Sequence, residues 1–161
     1  IICSTILGVI AYFTGHTELS SHLNLFYTVG SGEISVFLSA VTGSGLGFLW
    51  YNCYPAQIFM GDTGSLTLGG ILGVIAIILK QELILPVLGF IFVVEAISVI
   101  LQVGSFKMRG KRIFKMAPIH HHFELSGVPE SKVTMRFWIT TLIFGIIALG
   151  MIRMRGLLWE K

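Results

Sequence analysis

Asp62 is the only aspartate of the chain, and it stands in the stretch NCYPAQIFMGDTGS (residues 52–65), directly ahead of an apolar run. A carboxylate at the mouth of a membrane helix is costly to place and is a functional-site hypothesis by default. It asks for a cation, a proton or a phosphate-bearing substrate. Asp, Thr or Ser just before an apolar run is also an N-cap signature, so Asp62 is expected to open and cap a helix; capping and catalysis are compatible. The free N–H groups of a helix start favour anions. A carboxylate beside them suits Mg²⁺ held against a diphosphate. Phe59, three residues upstream, reads either as an interfacial anchor or as a stacking platform for a nucleobase, since every base has a π-face.

The second patch is His120-His121-His122, in the most basic loop of the chain. Successive helical residues turn by about 100°, so three in a row cannot share one face, which argues against a three-histidine metal site. Pro118 disfavours helix at Ala117, so an irregular approach is expected. The imidazoles have the chemistry to hydrogen-bond phosphate or sugar; a solvated surface cluster is the plainer alternative. A third group, Glu95, Ser98 and Gln102, falls at i, i+3 and i+7 on one helical face. That face must look into a bundle or a wet cleft, either for interhelical hydrogen bonds or for substrate, with Gln102 the best placed for substrate contact.

These patches need elements to hold them, and composition says which. The chain has 161 residues, 54% hydrophobic and only 12% charged, with a mean hydropathy of +0.85. Soluble domains carry roughly 25% charged residues, so this is an integral membrane protein. Five apolar runs are expected to be helices, over residues 1–15, 33–51, 64–79, 83–104 and 134–152. An all-α polytopic bundle follows, as one transmembrane unit over 1–161. The loop 105–133 carries Lys107, Arg109, Lys111, Arg112, Lys115 and Lys132, whereas residues 15–32 have no Lys or Arg. By the positive-inside rule loop 105–133 is cytoplasmic, and counting spans puts loop 52–63 on the same side. Arg153, Arg155 and Lys161 then fall outside. The net charge of +3 sits mostly in one inter-span loop, which describes membrane topology and not a nucleic-acid face. The basic segment 107–115 also suits an anionic membrane surface. Cys3 and Cys53 give neither a disulfide framework nor metal spacing. Gly43 with Gly47, and Gly69 with Gly73, have the spacing that lets helices approach closely. A chain that opens on Ile1 inside an apolar run, with no n-region, reads as the C-terminal part of a longer polytopic protein.

The runs NCYPAQIFMGDTGSLTLGG (52–70) and KMAPIHHHFE (115–124) resemble the phospho-N-acetylmuramoyl-pentapeptide-transferase (MraY translocase) family. That family is a branch of the polyprenyl-phosphate N-acetylhexosamine-1-phosphate transferases, and the resemblance runs through the whole chain, over the C-terminal half of the family pattern. FMGD-x-GS is shared across the superfamily; the histidine run marks the muramoyl-pentapeptide branch. The resemblance implies a Mg²⁺-dependent transfer of phospho-MurNAc-pentapeptide from UDP to undecaprenyl phosphate, giving lipid I and UMP. That is a step of peptidoglycan synthesis, at the cytoplasmic side of the bacterial inner membrane. It implies Asp62 as the Mg²⁺ ligand, His120, His121 and His122 as catalytic residues with His120 foremost, and Asn52 and Phe59 in the nucleoside pocket. It also implies a peptide-side contact at Gln102. Homodimerisation stays open.

The family's paired-aspartate and Asp-Gly-Leu-Asp-Gly motifs are absent, so the chain alone is expected to be inactive. Three other readings stay open: a UDP-GlcNAc-type transferase, a transporter centred on Glu95, and a scaffold using the glycine faces.

Overall fold

The computed structural model describes residues 1–159, with side chains to Met154. Lys161 and the Arg155 side chain, which the charge count assigns to the outside, lie outside the described residues. The elements are α1 (Ile2–Gly15), α2 (Thr17–His22), α3 (Ser31–Asn52), α4 (Asp62–Ile78), α5 (Leu85–Leu88), α6 (Phe90–Arg109), α7 (Ile119–Glu124) and α8 (Glu130–Trp159). Among the described residues there is no strand. The chain is an all-α membrane protein. Among the described residues three stretches are long and apolar enough to cross a bilayer: Ser31–Asn52, Phe90–Arg109 and Glu130–Met154. α1 and α4 are apolar but have 14 and 17 residues. At 1.5 Å per residue α4 is about 26 Å long, shorter than the roughly 30 Å hydrocarbon core.

Two compact units divide the chain, one formed by residues 1–88 with the stretch from Gly145 on, the other by residues 89–144. In the first, Leu7, Ile10 and Ala11 of α1 bury against Leu38 of α3, Leu79, Leu88 and Ala148. The α1–α3 seam is closed by small and hydroxyl side chains. Ser4 Oγ lies 3.0 Å from Thr42 Oγ1, and Thr14 Oγ1 lies 3.1 Å from Ser31 Oγ. Ser31 also donates to the Ala11 carbonyl at 3.0 Å. Hydroxyls so placed satisfy themselves on helix carbonyls and then on each other, which apolar surroundings require. The backbones come closest at Gly15, where a Cβ would stand 2.6 Å from the Gly32 nitrogen. The glycine pairs singled out by spacing behave otherwise. A Cβ at Gly43, Gly47, Gly69 or Gly73 would meet nothing within 4 Å. Spacing identifies a smooth helix face, not which face finds a partner.

In the second unit α6, α7 and the start of α8 pack together. Phe90 of α6 stacks on Phe144 of α8 with ring centroids 3.9 Å apart. The fourth apolar run begins and ends later than hydropathy predicts. Pro86 sits in the first turn of the short α5, where its missing N–H costs nothing, and the chain breaks at Gly89 before α6 starts. α6 then continues past the apolar residues to Lys107 and Arg109, cations that favour a helix C-terminus. It stops at Gly110, whose φ of 64° is the left-handed conformation that glycine adopts at no steric cost.

Gly15→Ala is expected to lower the thermal stability of the detergent-solubilised protein by about 1–3 kcal/mol, because backbone blocks the new methyl. Gly43→Ala is expected to leave the same melting curve within about 0.5 kcal/mol.

Candidate active site

The first cluster sits between α3 and α4. α3 ends at Asn52, and the chain folds back on that end. The Gln57 N–H donates to the Tyr51 carbonyl at 2.8 Å, and Asn52 Nδ2 donates to the Ile58 carbonyl at 2.7 Å. Asn52 therefore holds the residue next to Phe59. Phe59 itself is 83% exposed, a bare ring at the tip of the loop. Trp50 in the last turn of α3 and Tyr54 on the connection, which sequence reasoning passed over, are nearly as exposed. Their signal was available: four aromatic residues, Trp50, Tyr51, Tyr54 and Phe59, within ten positions ahead of a single acid.

Gly61, not Asp62, is the N-cap of α4, with extended backbone and no side-chain cap bond. The Gly61 carbonyl takes the N–H groups of Gly64 and Ser65 at 3.1 and 3.2 Å. Asp62 becomes the first helical residue. Its backbone carbonyl accepts from Ser65 Oγ at 3.2 Å. Its carboxylate is exposed and has no hydrogen bond or ion pair among the described residues. The capping expectation is corrected on that point, because a glycine at the cap leaves the acid without a local partner. The negative charge sits favourably at the positive end of α4. Met60 lies across the first turn, so close that a Cβ on Gly64 would stand 2.9 Å from its Cγ.

The second cluster belongs to the other unit. Gln102 of α6 reaches the chain between Gly110 and α7. Its Oε1 accepts the N–H groups of Ile113 and Phe114 at 3.1 and 2.9 Å, and its Nε2 donates to the Phe114 carbonyl at 3.0 Å. The amide expected at substrate is thus occupied in holding the basic loop. Ser105 Oγ adds a bond to the Lys111 carbonyl at 2.8 Å. Ser98, the middle residue of the polar stripe, is buried and donates to the Glu95 carbonyl at 2.7 Å.

The approach to the histidines is irregular up to a cis Ala117–Pro118 peptide, and the triplet itself lies within α7, where it makes up half of the six residues. Each ring has its own partner. His120 Nδ1 lies 3.1 Å from Glu95 Oε2, and His121 Nδ1 lies 2.8 Å from Glu124 Oε2. His122 Nδ1 accepts the Lys115 N–H at 3.2 Å, with Phe114 edge-on to its ring at 5.7 Å. The helical turn sends three consecutive rings to three directions. Among the described residues no three His, Cys, Asp or Glu side chains are grouped to hold a metal ion. A Mg²⁺ site needs less from the protein, since this ion keeps several waters and binds through one or two carboxylates plus substrate phosphates. The unpartnered Asp62 carboxylate fits that role. Beside α7, Phe123 meets Phe137 of α8 edge-on at 6.4 Å. An apolar cleft of about 250 Å³ opens there between Phe90, Val94, Ile119 and Phe137, with Arg136 its one charged lining residue.

Comparison with known proteins places this arrangement. Residues 1–80, which include Asp62 and its loop, match the family model of glycosyl transferase family 4. The chain is 90% identical over 158 residues to the phospho-N-acetylmuramoyl-pentapeptide-transferase of Fusobacterium nucleatum subsp. nucleatum, covering 98% of this chain and 44% of that protein. It is 55% identical over 156 residues to the protein of that name from Nitratidesulfovibrio vulgaris, covering 96% and 44%. With the one from Pelobacter propionicus the identity is 59% over 145 residues, covering 90% and 40%. The chain spans less than half the length of these curated relatives.

Gln102→Leu is expected to speed hydrogen exchange at the Ile113 and Phe114 amides about tenfold, the loss of one net side-chain clamp of roughly 1–2 kcal/mol. Exchange at α8 amides is expected to stay unchanged in the same sample.

Proposed function

The chain belongs to glycosyl transferase family 4, and from that premise we propose that it is part of a phospho-N-acetylmuramoyl-pentapeptide-transferase. The reaction proposed is attack by the phosphate oxygen of undecaprenyl phosphate on the β-phosphorus of UDP-MurNAc-pentapeptide. A new P–O bond forms to the lipid phosphate, the bond to the α-phosphate oxygen breaks, and UMP leaves. The observation that carries this reading is the free Asp62 carboxylate at the open end of α4, three residues from a bare aromatic ring.

Each residue has a part that its surroundings support. Asp62 would hold Mg²⁺, which when bound supplies positive charge to the diphosphate and to the departing UMP. Phe59 offers its face to the uracil, and Asn52 fixes the loop that carries the ring. The α7 histidines and the basic loop that Gln102 holds take the phospho-sugar: the cations meet its phosphate, and the imidazoles hydrogen-bond phosphate or sugar hydroxyl according to which ring nitrogen carries the proton. A phosphoryl group held in this way needs positioning and charge more than covalent help from the protein. The cations of loop 105–133 belong on the cytoplasmic side, and the span count assigns loop 52–63 to that side as well. Membrane lipids surround the outward faces of α3, α6 and α8, where Val36, Ile100 and Ile146 lie exposed.

The test is Mg²⁺-dependent UMP release by the full-length protein that carries this segment. Asp62→Asn is expected to cut turnover by about 10²-fold or more. Turnover that survives the substitution would reduce Asp62 to a charge favourable to the helix end. A full-length protein that releases UMP only from UDP-GlcNAc would move it to the sister branch. Phe59→Ala is expected to weaken binding of a uridine-based inhibitor about tenfold or more, the value of one lost stacking contact, and an unchanged affinity would remove the ring from the nucleoside pocket.

A further inference from the structure

His120, His121 and His122 are the same residue three times, yet their partners give them different chemistry. A backbone N–H only donates. His122 Nδ1, which receives the Lys115 N–H, therefore carries no proton, and in the neutral ring its Nε2 is the donor. An ionised carboxylate oxygen only accepts. At His120 and His121, Nδ1 is therefore the donor, and in the neutral ring Nε2 keeps its lone pair. The triplet thus offers an outward N–H at one ring and outward acceptors at two.

The two carboxylates are not equivalent. Glu124 is three residues from His121 on the same short helix, a local pair at the surface. Glu95 is 25 residues away, on a helix apolar enough to span the membrane, and its side chain is only 19% exposed. Its Oε2 meets His120, while its Oε1 is buried with no hydrogen-bond partner among the described residues. A carboxylate in such a helix costs several kcal/mol unless it has a partner. His120 is the side chain that meets it. Nε2 of His120 has no bond among the described residues, and the side chain is partly exposed, so that nitrogen is left for a ligand. The other charged or titratable groups around α7 are His121, whose ring centroid is 4.1 Å from that of His120, together with His122, Glu124, Lys115 and Arg136.

We propose that Glu95 is a positioning residue for His120: it fixes the ring as the Nδ1–H tautomer, so that His120 meets the substrate through Nε2. The role in turnover rests on the transferase reading above; the pairing itself does not. The general logic is that of any carboxylate that orients an imidazole through one nitrogen and leaves the other to act.

The experiment uses the full-length protein with isotope-labelled histidine. Ring-nitrogen resonances are read above the ordinary imidazole titration range, with His120 assigned by its loss in His120→Gln. The expected result is a protonated Nδ1 at His120 in the wild type and in Glu95→Gln, whose amide oxygen accepts the same N–H. Glu95→Ala is expected to shift His120 toward the Nε2–H form. In the same protein Glu95→Ala is expected to lower kcat about 10²-fold with KM within about twofold, and Glu95→Gln to recover about tenfold of that loss. A wild-type His120 protonated at Nε2 would overturn the proposal. So would a tautomer that Glu95→Ala leaves unchanged, or a changed tautomer with undiminished kcat. Should Glu95→Ala fail to fold, the wild-type and Glu95→Gln spectra decide by the same criterion. A full-length protein with no transferase turnover would sink the transferase reading, and the ring spectrum would still decide the pairing.

Discussion

Polar groups surrounded by hydrocarbon cost several kcal/mol each unless they are bonded within the protein. In a chain that is 54% hydrophobic, that requirement organises almost every polar contact. Ser4 pairs with Thr42 and Thr14 with Ser31 across the α1–α3 seam, while Ser4, Thr14 and Ser31 also return to helix carbonyls. Ser98 returns to the Glu95 carbonyl. Gln102 closes on the backbone of Ile113 and Phe114 and so ties a basic, otherwise irregular segment to a spanning helix. The helices supply rigid posts, and the polar side chains near their ends fix the short connections where chemistry is affordable.

The same requirement explains why the groups left over stand out. Asp62 begins a helix whose cap is a glycine, so its carboxylate has no local use. Phe59 sits on a loop that Asn52 and the Gln57 amide hold in place, so its ring is presented and not buried. His120 has one nitrogen engaged by Glu95 and the other open. In each case a neighbour has taken the structural task and released the reactive group. Gly61, Asn52 and Glu95 are those neighbours, and none of them needs to touch a substrate to matter.

Much of the candidate site stands out in the residues themselves. A lone aspartate before an apolar run, an exposed aromatic just ahead of it and a histidine triplet in a basic loop are readable because each is rare in such a chain. The helical turn also made it predictable that three consecutive histidines would point apart. Other features were not readable. Gly43 and Gly73 carry the helix-packing spacing, but the close approach happens at Gly15, a position that no repeat marks. The place of Gln102 along α6 is readable, but its bonds to Ile113 and Phe114 are not, because they depend on the return of the chain between Gly110 and α7. An Asx residue ahead of an apolar run predicts a capping side chain at Asp62, but the helix starts one residue earlier, with Gly61 as its cap and the Gly61 carbonyl taking the Gly64 and Ser65 N–H groups.

By itself the sequence determined that this is an all-α membrane chain, where its apolar runs lie, and which few polar residues fall between them. Those are properties of local composition and period, and hydrocarbon leaves the backbone little choice but helix. Only the tertiary structure decided which of those polar residues would be engaged and which would be free. Glu95 and His120 are 25 residues apart, Gln102 and Phe114 are 12 apart, and no local pattern pairs them. Their pairing depends on how far the chain turns back after Gly110, and a hydrogen bond is a matter of tenths of an ångström that only the folded backbone sets.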